Sequence, residues 1–230
     1  MNMKKIFLTV ALILLVNGAA VAQDVPAIEV FGGYSMLKLG MSNDDINMIQ
    51  AAIAAMHDVD GGWNVTTSSF LLNRGANGSV AFNINEHFGI AGDVRYNQGN
   101  LLEGTFGLNS PELPVIVQTP FVIGMKNVSA LAGPRFSLRN EHATLFVHAL
   151  AGLDYWRLNS NSAVAGENYS SSANNSGFGI AVGGGFDVNV NEKIAVRVIQ
   201  ADYYFTKHME RRLNNVSLSF GIVFKIGEKY

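Results

Sequence analysis

The chain has 230 residues, no cysteine and a formal charge of −2. So small a charge argues against a nucleic-acid partner, and the missing thiols rule out disulfides, thiolate metal centres and acylation at a lipobox cysteine. Charged residues are only 15% of the chain, glycine occupies 24 positions and helical periodicity is nearly absent, which together point to an all-β fold.

The first element is an export signal. Lys4 and Lys5 precede an apolar run of about eleven residues, Ile6 to Val16, and "AVA" at 20–22 is a small-x-small cleavage site. Residues 1–22 therefore read as a signal peptide and 23–230 as the mature domain. A membrane anchor is the alternative, but the run is well short of the ~20 apolar residues of a spanning helix. Removing Lys4 and Lys5 takes the charge from −2 to −4.

Alternating segments follow near 27–37, 76–84, 87–97, 127–138, 143–156, 177–189, 194–205 and 215–226. Each is long enough for the roughly 9–11 residues of a membrane-spanning strand. Between the first two, "SNDDINMIQAAIAAMHD" (42–58) is the one helical stretch. Ser42 caps it, Asp44 and Asp45 suit its positive end, and Ile46, Ile49, Ile53 and Met56 form a stripe. It reads as a lid packed on loop residues or as a surface element touching lipid or a partner. The connections sort by length. "INEH", "RNEH" and "VNEK" are tight polar turns, whereas 38–75, 98–126, 157–176 and 206–214 are longer. Short turns at one end and long loops at the other are the pattern of a transmembrane barrel, with the short turns periplasmic.

Parity decides which face meets lipid. In the last segment Val216, Leu218, Phe220, Ile222, Phe224 and Ile226 oppose Ser217, Ser219, Gly221 and Lys225, with Val223 the exception. Across the strands the polar parity collects Glu29, Asp93 and Asp187 against Arg95, Arg135 and Lys225. An inward apolar parity would make a lipocalin-like soluble barrel, which has no need of three matched turns. With the polar parity inward, glycines make room for long cationic side chains and nearby acids neutralise them, while closure satisfies the backbone. In 193–207, Arg197 has one parity and Gln200 and Asp202 the other, so a β-bulge near Val198–Ile199 is expected to bring all three inside. Pro134, which cannot donate to a ladder, is expected to mark a local distortion.

The runs "AGPRFSLRN" and "RVIQADYYFT" and the terminal strand resemble the small outer-membrane β-barrel family, the OmpA-type transmembrane-domain fold of Gram-negative bacteria. Ser219, Gly221, Phe224 and Ile226 match its polar-x-Gly-x-x-hydrophobic-x-hydrophobic assembly signal, and "GEKY" follows, with Tyr230 the candidate terminal aromatic. The resemblance implies an outer-membrane location, contact with outer-membrane lipid and recognition by the insertion machinery. It implies no single activity.

The expected fold is thus an eight-stranded antiparallel transmembrane β-barrel with a short helix in the first extracellular loop. Its expected interior network comprises Glu29, Asp93, Arg95, Arg135, His148, Asp187, Arg197, Gln200, Asp202 and Lys225. As charges, four acids face four bases, which favours a fixed plug over an ion path. His148 reads as a hydrogen-bonded member of this network rather than a base. Catalysis is not expected: the five histidines lack H-x-S-N or H-E-x-x-H spacing, and no metal or cofactor motif is present. The expected role is structural or surface interaction, with no partner specified by the loops. A lipid-modifying enzyme or a small-solute channel is the alternative.

Overall fold

A computed structural model describes residues 25–41, 44, 47, 51, 64–66, 72–108, 117–164, 167–208 and 211–229. The signal-peptide reading falls outside them, as does most of the expected helix over 42–58, of which Asp44, Asn47 and Ala51 are helical and exposed. The strands are β1 (Val25–Lys38), β2 (Asn64–Thr66), β3 (Leu72–Asn83), β4 (Phe88–Leu108), β5 (Val117–Arg139), β6 (Ala143–Val164), β7 (Glu167–Asn189), β8 (Ile194–His208) and β9 (Arg211–Lys229). Eight of them close an antiparallel ring in the order β1–β3–β4–β5–β6–β7–β8–β9, with β9 paired back to β1. The three-residue β2 pairs with Glu103–Thr105 of β4, beyond the end of β3.

The register fixes the stagger of the barrel. Stepping across neighbours from Asp187 leads through Arg197, Gly221, Gly33, Asn77, Arg95, Ser129 and Asp154 to Gly177, on the starting strand but ten residues away. A shear of this kind is what tilts the strands and lets eight of them close around packed side chains.

The three tight turns are chemically alike. Asn85 Oδ1 accepts from the backbone N–H of His87 and Phe88 at 2.9 and 2.8 Å. Asn140 Oδ1 accepts from His142 and Ala143 at 3.0 and 2.7 Å, and Asn191 Oδ1 from Lys193 and Ile194 at 2.9 and 2.8 Å. Each asparagine mimics a backbone turn with its own side chain. These turns and the outer ends of β1 and β9 share one end of the barrel, the periplasmic end by the usual asymmetry of such folds.

The opposite end departs from the expectation of long loops over 98–126, 157–176 and 206–214. Most of those residues continue the ladders: β4 and β5 pair out to Leu108 and Val117, β6 and β7 to Val164 and Glu167, and β8 and β9 to His208 and Arg211. Strands of 21 to 23 residues in β4–β7 are about twice what a membrane requires, so a tall sheet stands beyond the bilayer.

Facing follows parity. Phe82, Ile90, Val94, Val128, Val147, Leu153, Val182, Ile222 and Phe224 are exposed on the outer wall, and the polar partners of the alternation are buried. Val223 breaks the pattern because it points inward, where it packs with Phe31 and Ala195. The ladder shifts between Arg197 and Gln200, so Val198 and Ile199 both face outward while Arg197, Gln200 and Asp202 are all buried. At Pro134 the expected distortion is mild. Pairing to β6 skips Gly133 and Pro134, but the register is the same on either side, and Pro134 still sits opposite Ile90 of β4.

Candidate functional site: the charged interior

A column of ion pairs runs through the barrel, built by inward-facing positions of β1 and β3–β8. At the periplasmic end Glu29 of β1 lies 2.8 Å from both Arg135 and Arg139 of β5. Asn83 donates to Glu29 Oε1 at 3.1 Å and to the Pro26 carbonyl at 2.8 Å, and Arg139 also donates to the Glu86 carbonyl at 2.5 Å. The first strand is thereby tied to the first and second turns.

Higher up, Asp187 receives Arg197 in a two-bond fork, Nε to Oδ1 at 2.8 Å and Nη2 to Oδ2 at 3.0 Å, a geometry that suits the planar guanidinium. Arg135 Nη2 approaches the same carboxylate at 4.0 Å. Both like-charged guanidiniums sit over an aromatic ring: Arg135 and Arg197 lie 4.2 and 4.3 Å from the centroid of Phe146, and Arg197 is also 4.3 Å from Phe31. The negative faces of those rings offset part of the cost of crowding cations in a dry interior.

Gln200 links this layer to the next by accepting from Arg197 Nη1 at 2.7 Å and donating to Asp202 Oδ2 at 2.9 Å. Asp202 also receives Arg95 Nη2 at 2.6 Å and faces His148 Nε2 at 2.7 Å. Arg95 Nε donates to Asp93 at 2.6 Å, and Asn77 donates to both Asp93 oxygens at 3.1 and 3.0 Å. Above them Asp154 collects Tyr204 Oη, Trp156 Nε1 and, at 2.8 Å, Asn127 Nδ2.

Glycines of β7 make the space. A Cβ on Gly179 would fall 2.8 Å from Tyr204 Oη and one on Gly185 2.5 Å from Phe146 Cζ, while one on Gly183 would collide with the Asp202 carboxylate and the Ala201 carbonyl. Beside them, among the described residues, lies a cavity of about 10 Å³ lined by, among others, Asp93, Arg135, His148, Arg197 and Gln200. That is room for about one water.

Of the ten residues singled out in the sequence for this network, nine are buried and joined in it. Lys225 stands apart: it is half-buried near the periplasmic rim, its Nζ donates to Asn189 Oδ1 at 2.6 Å, and it makes no ion pair among the described residues. Two charged members were missed, besides polar partners such as Asn77, Asn83, Asn127 and Tyr204. Asp154 shares the parity of His148 and was available to the same reasoning, while Arg139 borders a turn and looks like a surface cation in the sequence. Of the assembly-signal residues, Ser219 is buried, Gly221 lies opposite Gly33 of β1, and Phe224 and Ile226 are exposed on the outer wall. Among the described residues no group of three or more His, Cys, Asp or Glu is placed to hold a metal ion.

No curated protein matches the chain by sequence. Among solved structures, the backbone is similar to that of Ail, the attachment invasion locus protein of Yersinia pestis, in complex with the heparin analogue sucrose octasulfate, at 18% identity over 87% of this chain and 99% of that one, with a TM-score of 0.49. It is similar to the outer membrane protein OprG from Pseudomonas aeruginosa at 9% identity over 89% and 97%, TM-score 0.42. The outer membrane protease OmpT from Escherichia coli aligns at 8% identity over 90% and 99%, TM-score 0.40. The family model for the outer membrane protein beta-barrel domain matches residues 8–224, nearly the whole sequence, and the chain therefore belongs to that family and is a protein of the outer membrane.

Proposed function

We propose that this outer-membrane barrel is a closed scaffold that neither conducts nor catalyses, and that its role is structural or interactive, exercised through the tall extracellular sheet. The observation that carries the reading is the filled interior. A continuous file of paired charges from Glu29 to Asp202 occupies the lumen, and the cavity beside it bordered by Asp93 and Arg135 measures only about 10 Å³. An ion moving along it would have to break pairs such as Arg197–Asp187, and leaving one partner of a buried pair uncompensated costs about 3–5 kcal/mol. The chemistry of the column also speaks against catalysis. His148 and Asp202 are both buried within the column, where a substrate would first have to displace the ion pairs around them.

Two accessory roles belong to the same proposal. Residues 1–22 serve as a cleaved export signal, and the Ser219–Gly221–Phe224–Ile226 pattern of β9 is read by the insertion machinery, its exposed Phe224 and Ile226 presenting the apolar edge. The closed-lumen reading is tested by planar-bilayer recording on refolded protein whose gel mobility changes on heating, the sign that the barrel is intact. No stable unitary steps are expected. Reproducible conductance from such protein would overturn the plug and favour a small-solute channel.

A further inference from the structure

The tall sheet β4–β7 has two edges above the membrane, and the chain treats them differently. On the β4 side its own β2 adds as a short antiparallel strand, Asn64–Thr66 against Glu103–Thr105. The β7 side has no such cover. Its pairing with β8 stops where Phe178 lies opposite Lys207, so residues 167–177 pair with β6 alone among the described residues. Alternate backbone N–H and C=O groups along this stretch, roughly 35 Å of strand, therefore point sideways into water.

An edge of this kind is a template for another strand, and proteins ordinarily blunt it with lysine, proline, a bulge or shortness. None of these devices is present. Asn168–Gly177 reads NYSSSANNSG, without a charge or a proline. The β6–β7 register runs unshifted from Val164 opposite Glu167 to Ala143 opposite Val188, so no bulge turns the edge away. Asn168 through Asn174 are exposed, which leaves the approach open.

Charge gives the edge a direction. The lane beside residues 167–177 continues the line of β8, and its lower end abuts the place where β8 gives way to β9. Lys207 is exposed there, and the register sets it opposite Arg212, with His208 opposite Arg211. One acid, Glu210, accompanies Lys207, Arg211 and Arg212 in that stretch of sequence. A strand laid antiparallel to β7, as β8 itself is, begins at this cationic end.

We propose that the free edge of β7 receives an extended segment of a partner protein as an added antiparallel strand, with acidic residues at the N-terminal end of that segment facing Lys207. Backbone bonds supply the affinity and the acids fix the orientation. This names a partner class for the interactive role proposed above and rests on that role, but not on the closed lumen.

The test uses the refolded full-length barrel in phosphatidylcholine nanodiscs and a fluorescent decapeptide of two aspartates followed by alternating threonine and valine. Companion peptides carry lysine in place of aspartate, or N-methyl groups along the whole backbone. Saturable binding is expected for the aspartate peptide, about tenfold weaker binding for the lysine peptide, and none for the N-methylated one. Lys207→Glu should reverse the preference between the two charged peptides. Of Ser171→Pro and Ser172→Pro, the one that removes an outward N–H should abolish binding while the heat-dependent gel shift persists. No binding of the aspartate peptide, or equal binding of its N-methylated form, would overturn the added strand. Equal binding of the two charged peptides would overturn the acidic end. The wild-type comparison of peptides decides the matter even if neither proline variant folds. Failure to bind in a barrel that gives silent bilayer recordings would remove this inference and leave the closed scaffold standing.

Discussion

Asp202 is the residue on which the upper part of the interior column converges, and Asp202→Ala is the substitution that tests it. Its two oxygens serve three donors: Arg95 Nη2 at 2.6 Å, Gln200 Nε2 at 2.9 Å and His148 Nε2 at 2.7 Å. Alanine leaves all three donors without their acceptor at once in a buried site. Uncoupling a buried ion pair costs about 3–5 kcal/mol. Arg95 keeps Asp93 at 2.6 Å, which places its share at the low end, and the two remaining donors add roughly 1 kcal/mol each. The expected loss is about 5 kcal/mol, against a typical total of 5–15 kcal/mol. Asp202→Asn keeps an oxygen but loses the charge, and should cost about half as much. Urea unfolding in lipid vesicles, followed by the fluorescence of Trp156, measures both, with equal slopes showing that only stability has changed. If Asp202→Ala unfolds within ~1 kcal/mol of the wild type, the column does not hold the barrel and the reasoning fails.

Ile222→Arg on the outer wall should cost about 2–4 kcal/mol if it sits at the bilayer midplane, whereas Ser219→Arg, which points inward against Ser35 and Gln200, should act through crowding. A bilayer-borne photolabel reaching residue 219 but not 222 would reverse the facing. Gly183→Ala drives a methyl into the Asp202 carboxylate and should lose about 1–3 kcal/mol, while Gly32→Ala, with nothing within 4 Å of the new atom, should be close to neutral in the same urea assay. Excising 42–58 should leave heat-modifiable folding intact, because the eight-stranded ring closes through the described pairings of β1 and β3–β9 alone; an expressed deletion lacking the gel shift would show that the segment belongs to the core.

The membrane-embedded half of the fold was legible because lipid on one side and packed charge on the other force strict alternation. Even the bulge could be read, since Arg197 and Asp202 cannot share an interior without an extra residue between them. The extracellular half was not legible. "LNSNS" and "NYSSSANNS" meet water on both faces, so no parity is imposed and their strands look like loops. Inside the barrel, alternation located the charges but not the aromatic rings: Phe31 and Phe146 occupy the polar parity because two arginines stack on Phe146, a pairing that only the register reveals.

The turn asparagines carry a consequence for the order in which the molecule assembles. Three hairpins, β3–β4, β5–β6 and β7–β8, are each closed by a self-sufficient local turn and can zip from it, since closing a short loop is fast. The β1–β9 pairing has no such help. It joins Val25 to Lys229, the most distant partners in the ladders, and non-local contacts of this kind form slowly. At its middle Gly33 faces Gly221, and a Cβ on either would strike the opposing backbone. The seam thus combines the largest separation along the chain with a glycine pair that has no room for bulk. A methyl added at either glycine should slow ring closure while leaving the hairpins to form at their ordinary rate, making the seam the kinetic bottleneck of membrane entry.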